Sequence, residues 1–259
     1  MSIYKYIGAD VGALFFENWS ISFVAPINFN DPFDCHPGFL MRTPTERESR
    51  IEVLKKRTDW DDRSRQKYAE IFEELEGKDH LRTVRNLITR STFRISCFTR
   101  TKNHLLMWSH YAKAHTGLLI GFREDSIIFQ ERLKPVIYSD ARPQFPLFKE
   151  FRLSNILSKE TCLVKGLEWA YEQELRMILN NREISELPSV VSQQIAVPWL
   201  VKLEKSDVEV IVFGCRYSYD EMKTISKTLL EDSSTSHIKL FRAEPDQYEY
   251  KLNYVPIAN

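Results

Sequence analysis

Short runs of alternating or unbroken apolar residues recur along the whole chain, and helical patches fall between them at irregular intervals. Residues 3–7 (IYKYI) and 19–25 (WSISFVA) alternate as half-buried strands do, with a helical patch over 11–18 between them. Residues 94–99 (RISCFT), 117–122 (GLLIGF), 135–139 (PVIYS), 175–179, 199–203, 208–213, 238–243 and 248–254 are further strand candidates. The unbroken GLLIGF run reads as buried on both faces. Helices are predicted over 103–113, 147–169 and 220–230. Many short strands with helices placed irregularly predict an α+β fold, not a regular βαβ alternation.

One stretch differs from the rest. Residues 43–90 are strongly charged, nearly free of Gly and Pro, and helical in period, with positive and negative charges almost in balance. That is the pattern of a solvated helical insertion. No repeat, low-complexity tract or linker divides the remainder, so residues 1–259 are expected to form a single domain carrying an insertion at about 43–90.

Composition narrows the function classes. Hydrophobic residues are 43% of the chain and aromatics 12%, enough for a sizeable core. Lys plus Arg and Asp plus Glu stand at 36 each, which argues against a dedicated duplex-DNA binder. Cys35, Cys97, Cys162 and Cys215 are scattered, as expected of reduced thiols in the cytoplasm. The first residues lack a basic segment followed by an apolar core, and the apolar runs are too short to span a membrane. His110 and His115 have neither one-face helical spacing nor a third ligand nearby, so no metal site is expected.

The stretch 167–179 (LEWAYEQELRMIL) concentrates the chemistry. If a strand begins at its charges, Glu172, Glu174 and Arg176 alternate onto one face, with Trp169 and Tyr171 just before them. Two carboxylates and a guanidinium beside aromatics suit the stabilisation of a developing positive charge. They equally suit an exposed ion-pair ladder. Glu174 is expected to be an exposed strand-end carboxylate. Asn30-Asp31-Pro32 has turn chemistry, and its loop could also line a cleft. On the helix LMWSHYA, Trp108 and Tyr111 share a face and His110 points elsewhere. Cys97 and His110 also raise a thiol-nucleophile reading, but nothing near Cys97 would lower its pKa.

In order along the chain, YKY, FNDPFDC, ISCFT, LMWSHYAKAHTGLLIGF, W-x-YEQELR and EVIVFG resemble a prokaryotic family catalogued as domain of unknown function 2971. More distantly the chain resembles the ADP-ribosyltransferase fold. That resemblance implies a split, mostly antiparallel sheet with three dispersed motifs: an NAD-contacting first strand, a middle strand followed by a helix under the nicotinamide, and a late strand opening on a catalytic Glu.

The positions it implies are Lys5 or Tyr6, then Ser96 to Thr99 with the helix over 107–111, then Glu172-x-Glu174. Lys5 stands where the family has Arg or His. Glu174 is then the catalytic carboxylate, Glu172 positions the acceptor, and Arg176 holds one of the carboxylates. Lys5, Tyr6, Asn30, Asp31, Ser96, Trp108, Tyr111, Tyr171 and Arg176 would form the NAD site, with His110 and Trp169 at the acceptor. Glu174, Tyr6 and Ser96 should line one cleft.

The resemblance implies a cytoplasmic NAD-dependent ADP-ribosyltransferase, a bacterial toxin or anti-phage effector. Its acceptor is expected to be nucleic acid (RNA or single-stranded DNA), and an antitoxin or chaperone is an expected partner. The alternatives are a metal-dependent nuclease using Asp31, Asp34, Glu172 and Glu174, and a non-catalytic nucleotide-sensing or partner-binding module.

Overall fold

The computed structural model describes residues 2–40, 44–76, 93–146, 158–187, 190–192 and 199–257. The chain groups into two compact units: Met1–Val24 with Arg94–Val136 and Glu168–Asn259, and Ala25–Phe93 with Ile137–Leu167.

The first unit is built on an eight-stranded sheet. Numbered in chain order, its strands are β1 (Ser2–Ile7), β4 (Arg94–Thr99), β5 (Leu118–Arg123), β6 (Leu133–Pro135), β10 (Glu174–Leu179), β13 (Val208–Phe213), β14 (Lys239–Pro245) and β15 (Leu252–Pro256). Their spatial order is β15-β14-β13-β5-β1-β4-β10-β6. Neighbours run antiparallel except β13 and β14, which are parallel and joined through helix α5 (Tyr219–Glu231). The fold is α+β with a mostly antiparallel, mixed sheet.

A second sheet, of β11 (Val190–Ser192), β12 (Trp199–Lys202) and β2 (Ser20–Phe23), meets the first at β4. Tyr4 pairs with Thr99 at one end of β4, and Val24, just past β2, bridges Ile95 towards the other. The edge of β4 is thus shared between two partners.

Residues paired across a ladder project to the same side, so the registers sort the main sheet into two faces. One carries Ile3, Phe98, Ile120, Phe122, Leu175, Met177 and Ile211. These pack with Phe15 of α1 (Ala9–Asn18), Met222 and Leu229 of α5, and Phe23 and Trp199 of the second sheet. The other carries Tyr6, Leu119 and Val212, which pack with Met107 and Trp108 of α4 (Leu105–Tyr111). Covered on both sides, β5 is buried from Leu118 to Phe122, which accounts for its unbroken apolar run.

The second unit contains two parallel strand pairs, β3 (Gly38–Leu40) with β8 (Gln144–Pro146) and β7 (Ile137–Ser139) with β9 (Val164–Gly166). It also holds α2 (Pro44–Lys55) and α3 (Asp62–Glu76). The described part of 43–90 therefore consists of these two helices, and the rest lies outside the described residues. The Asp31 carboxylate accepts a 2.8 Å bond from Phe33 N, the local turn expected of Asx-Pro chemistry. Asp34 and Lys165 lie buried 3.8 Å apart.

The helix predicted over 147–169 is not found in its described part. Residues Thr161–Leu163 and Leu167–Glu172 are 3-10 turns flanking β9. In that described part the apolar residues belong to a short strand and the two tight turns beside it, not to a helix.

Candidate functional site

Three strands place polar side chains on the α4 face. Glu174 opens β10 opposite Thr99, the last residue of β4, and Thr99 is itself opposite Tyr4 of β1. Tyr4, Thr99 and Glu174 thus form one row across β1, β4 and β10. The next row on this face holds Cys97 opposite Arg176.

Arg176 donates through Nε to Glu174 Oε1 at 2.7 Å and through Nη2 to Oε2 at 2.9 Å. Both are buried, Arg176 completely and Glu174 to 5% exposure. A two-point contact fixes the plane of the carboxylate. Burial, reinforced by the Glu174 carboxylate beside it, pushes the Cys97 thiol well above its ordinary range. Cys97 is a thiol at neutral pH, and a nucleophilic role is disfavoured.

Glu172 reaches this face by a route other than strand alternation. It ends a 3-10 turn, and β10 starts only at Glu174. Between them Gln173 takes φ 45°, in the left-handed region. Thr99 Oγ1 donates to the Glu172 carbonyl, and Arg100 N donates to the Gln173 carbonyl at 3.1 Å. The turn returns the Glu172 side chain to α4, where Tyr111 Oη donates to Glu172 Oε1. A non-glycine left-handed residue costs roughly 1 kcal/mol. Here it lies between the two carboxylates.

Aromatic side chains surround the pair. Tyr6 meets Trp108 edge-on, with ring centroids 5.2 Å apart. Trp108 Nε1 donates to Tyr254 Oη at 3.1 Å, and Tyr254 Oη donates to the Lys102 carbonyl. Burial raises the pKa of both phenols above the ordinary tyrosine value. This network secures the loop before α4. On that loop His104 stacks on Tyr171 at 4.8 Å, and Trp169 lies 6.2 Å from Tyr171. Tyr4, His104, Tyr111, Trp169 and Tyr171 retain partial exposure and His110 is exposed, so a ligand can reach these side chains.

The structure therefore gathers Tyr6, Trp108, Tyr111, Trp169, Tyr171, Glu172, Glu174 and Arg176 on one side of the first unit. Several expected roles change. Ser96 is three residues from Thr99, an odd spacing, and its partner in the ladder is Met177, so it projects to the opposite face. Lys5 is there too. Its ammonium donates to Ser96 Oγ at 3.1 Å and to the Cys97 carbonyl at 2.8 Å, and lies 5.0 Å from the Phe98 ring centre. Glu174, Tyr6 and Ser96 do not line one cleft.

Trp108 and Arg176 have no accessible surface, so they support the site and do not touch a ligand. Glu174 is buried, not the exposed strand-end carboxylate that was expected. Asn30 and Asp31 belong to the second unit, where Asn30 is exposed and Asp31 builds its turn. Of the middle-strand motif Ser96 to Thr99, it is Thr99 that lies on this face. Tyr4, His104 and Gln173 were not anticipated. The left-handed Gln173 has no signal in its residue type.

Residues 107–177 match the family model described as "Protein of unknown function (DUF2971)". This match, which runs from within α4 through β5 into the first residues of β10, supports assigning the chain to that family. No curated protein and no solved structure matches the chain.

Proposed function

We propose that the chain is an NAD-dependent ADP-ribosyltransferase, acting as a bacterial toxin or anti-phage effector. One observation carries the reading. The three strands to which the fold resemblance assigns motifs are not consecutive in the chain, yet they are adjacent in space as β1-β4-β10, with Tyr4, Thr99 and Glu174 in one row.

In this reading Glu174, oriented by Arg176, faces the ribose as the nicotinamide bond breaks. That step passes through an oxocarbenium-like state, as glycoside cleavage does. A carboxylate preorganised in a dry site stabilises such charge without reorientation, usually the largest catalytic term. Tyr111 and Tyr171 contact the nicotinamide half, and Tyr6 and Trp108 back them. Glu172, held by Tyr111, receives the acceptor. Lys5 and Ser96, on the opposite face of the sheet, have no part in this step.

The test is nicotinamide release from NAD by the purified chain, with Glu174→Gln as the comparison. Gln keeps the shape and one acceptor oxygen but loses the charge. The rate should fall by about 10²–10³, the size of an electrostatic contribution of this kind. Because Glu174 is buried against Arg176, rates are to be compared per folded molecule, using circular dichroism. A wild-type chain that neither releases nicotinamide nor transfers label from NAD ends the proposal.

A further inference from the structure

An aromatic ladder runs along the accessible side of the candidate site. His104 stacks on Tyr171 with the rings 16° from parallel, Tyr171 is followed by Trp169 at 6.2 Å, and Trp169 by His110 at 6.2 Å. His110 is exposed and the other three rings are half-exposed, so the ladder is not core packing. Glu172 is in the same 3-10 turn as Trp169 and Tyr171, so the ladder passes the acceptor carboxylate.

Two exposed lysines flank it in the chain. Lys102 precedes His104 by two residues, and Lys113, 3.6 Å from Asp10, follows His110 by three.

We infer that this ladder is the docking platform for the unpaired bases of a single-stranded nucleic acid. Calling that strand the acceptor rests on the transferase reading; the binding itself does not. Flat rings recognise bases through their π faces, a mode available to every base and hidden in a duplex. The flanking ammonium groups suit phosphates. The balanced net charge of the chain removes the broad basic field of a duplex binder. Stacking next to Glu172 brings a base amine or imino N–H towards the carboxylate assigned to the acceptor.

The experiment is fluorescence anisotropy with the full chain and labelled oligo(rA), oligo(rU) and oligo(dT) of about twelve nucleotides, each set against a duplex of the same length. Single strands should bind with dissociation constants of about 1–100 µM, and the duplex at least tenfold more weakly. Trp169→Ala should weaken single-strand binding about tenfold, the scale of one lost stacking partner, while Trp169→Phe stays close to the wild type. Circular dichroism confirms that both variants are folded. Equal or tighter binding of duplex, no binding in this range, or wild-type binding by Trp169→Ala overturns the inference.

Labelled NAD with separate RNA, DNA and protein pools then tests the acceptor. Label in a nucleic acid pool supports it, and label in protein alone overturns it. Label in no pool, with single-strand binding intact, ends the acceptor role but leaves the platform standing; the transferase reading falls with it when nicotinamide is not released either.

Discussion

Glu174 and Lys5, on strands that flank β4, show how one sheet can place charge in opposite settings. Glu174 is buried with a bidentate guanidinium, so its desolvation is offset by a partner of matching geometry. Lys5 is held on the other face by a hydroxyl, a carbonyl and an aromatic ring. Burial pushes its ammonium below the ordinary lysine value of 10.5, against the pull of Cys97 and Glu174. A lysine with a lowered folded pKa contributes stability that is complete above its unfolded value and is lost as pH falls through the folded one. Unfolding free energy of the wild type relative to Lys5→Met should therefore rise with pH up to about 10.5. Urea titrations of both proteins across that window measure the difference, in which the titrations they share cancel. A flat difference would mean that Lys5 is as well solvated folded as unfolded.

At the level of elements, the link from α4 to β5 has the least freedom. Lys113, Ala114 and His115 all take positive φ, between 48° and 69°. The chain then passes so close to β1 that a Cβ on Gly117 would lie 2.0 Å from the Ile7 carbonyl oxygen. Gly117→Ala must move main chain on a central strand and should cost about 1–3 kcal/mol or more, the range for overpacking. Gly8→Ala is the control. Its Cβ would come within 2.6 Å of Asp10 Oδ1, the tip of a side chain that can rotate away. Thermal melts should show a large drop for Gly117→Ala and little change for Gly8→Ala; similar melts would contradict the close approach. Elements of this kind were legible where local pattern decides them: β4 and β13 fall on RISCFT and VEVIVF as expected. Glu172, Glu174 and Arg176 do fall on one side, but not by the alternation expected through Gln173: Glu172 ends a 3-10 turn, and the left-handed Gln173 returns its side chain to that side. Ser96 was misplaced because which face a residue joins depends on a ladder to β10, nearly eighty residues away in sequence.

Across the molecule, what sequence order could not convey is adjacency: β1, β4 and β10 come together only after intervening chain has been set aside. That adjacency also bears on the rival nuclease chemistry. A metal-dependent nuclease needs several carboxylates free to share a cation. Here both Glu174 oxygens are bonded to Arg176, and Glu172 Oε1 accepts from Tyr111. Among the described residues no three His, Cys, Asp or Glu side chains converge as a metal-binding group. A cation at Glu174 would stand beside the buried Arg176 guanidinium, a like charge that is costly to meet in a dry site. Nicotinamide release should therefore proceed at the same rate with and without EDTA. The same preparation given magnesium or manganese, a single-stranded substrate and no NAD should leave the strand uncut. Loss of turnover on chelation, restored by adding back a divalent cation, would transfer the site to metal chemistry. Strand cleavage without NAD would do the same.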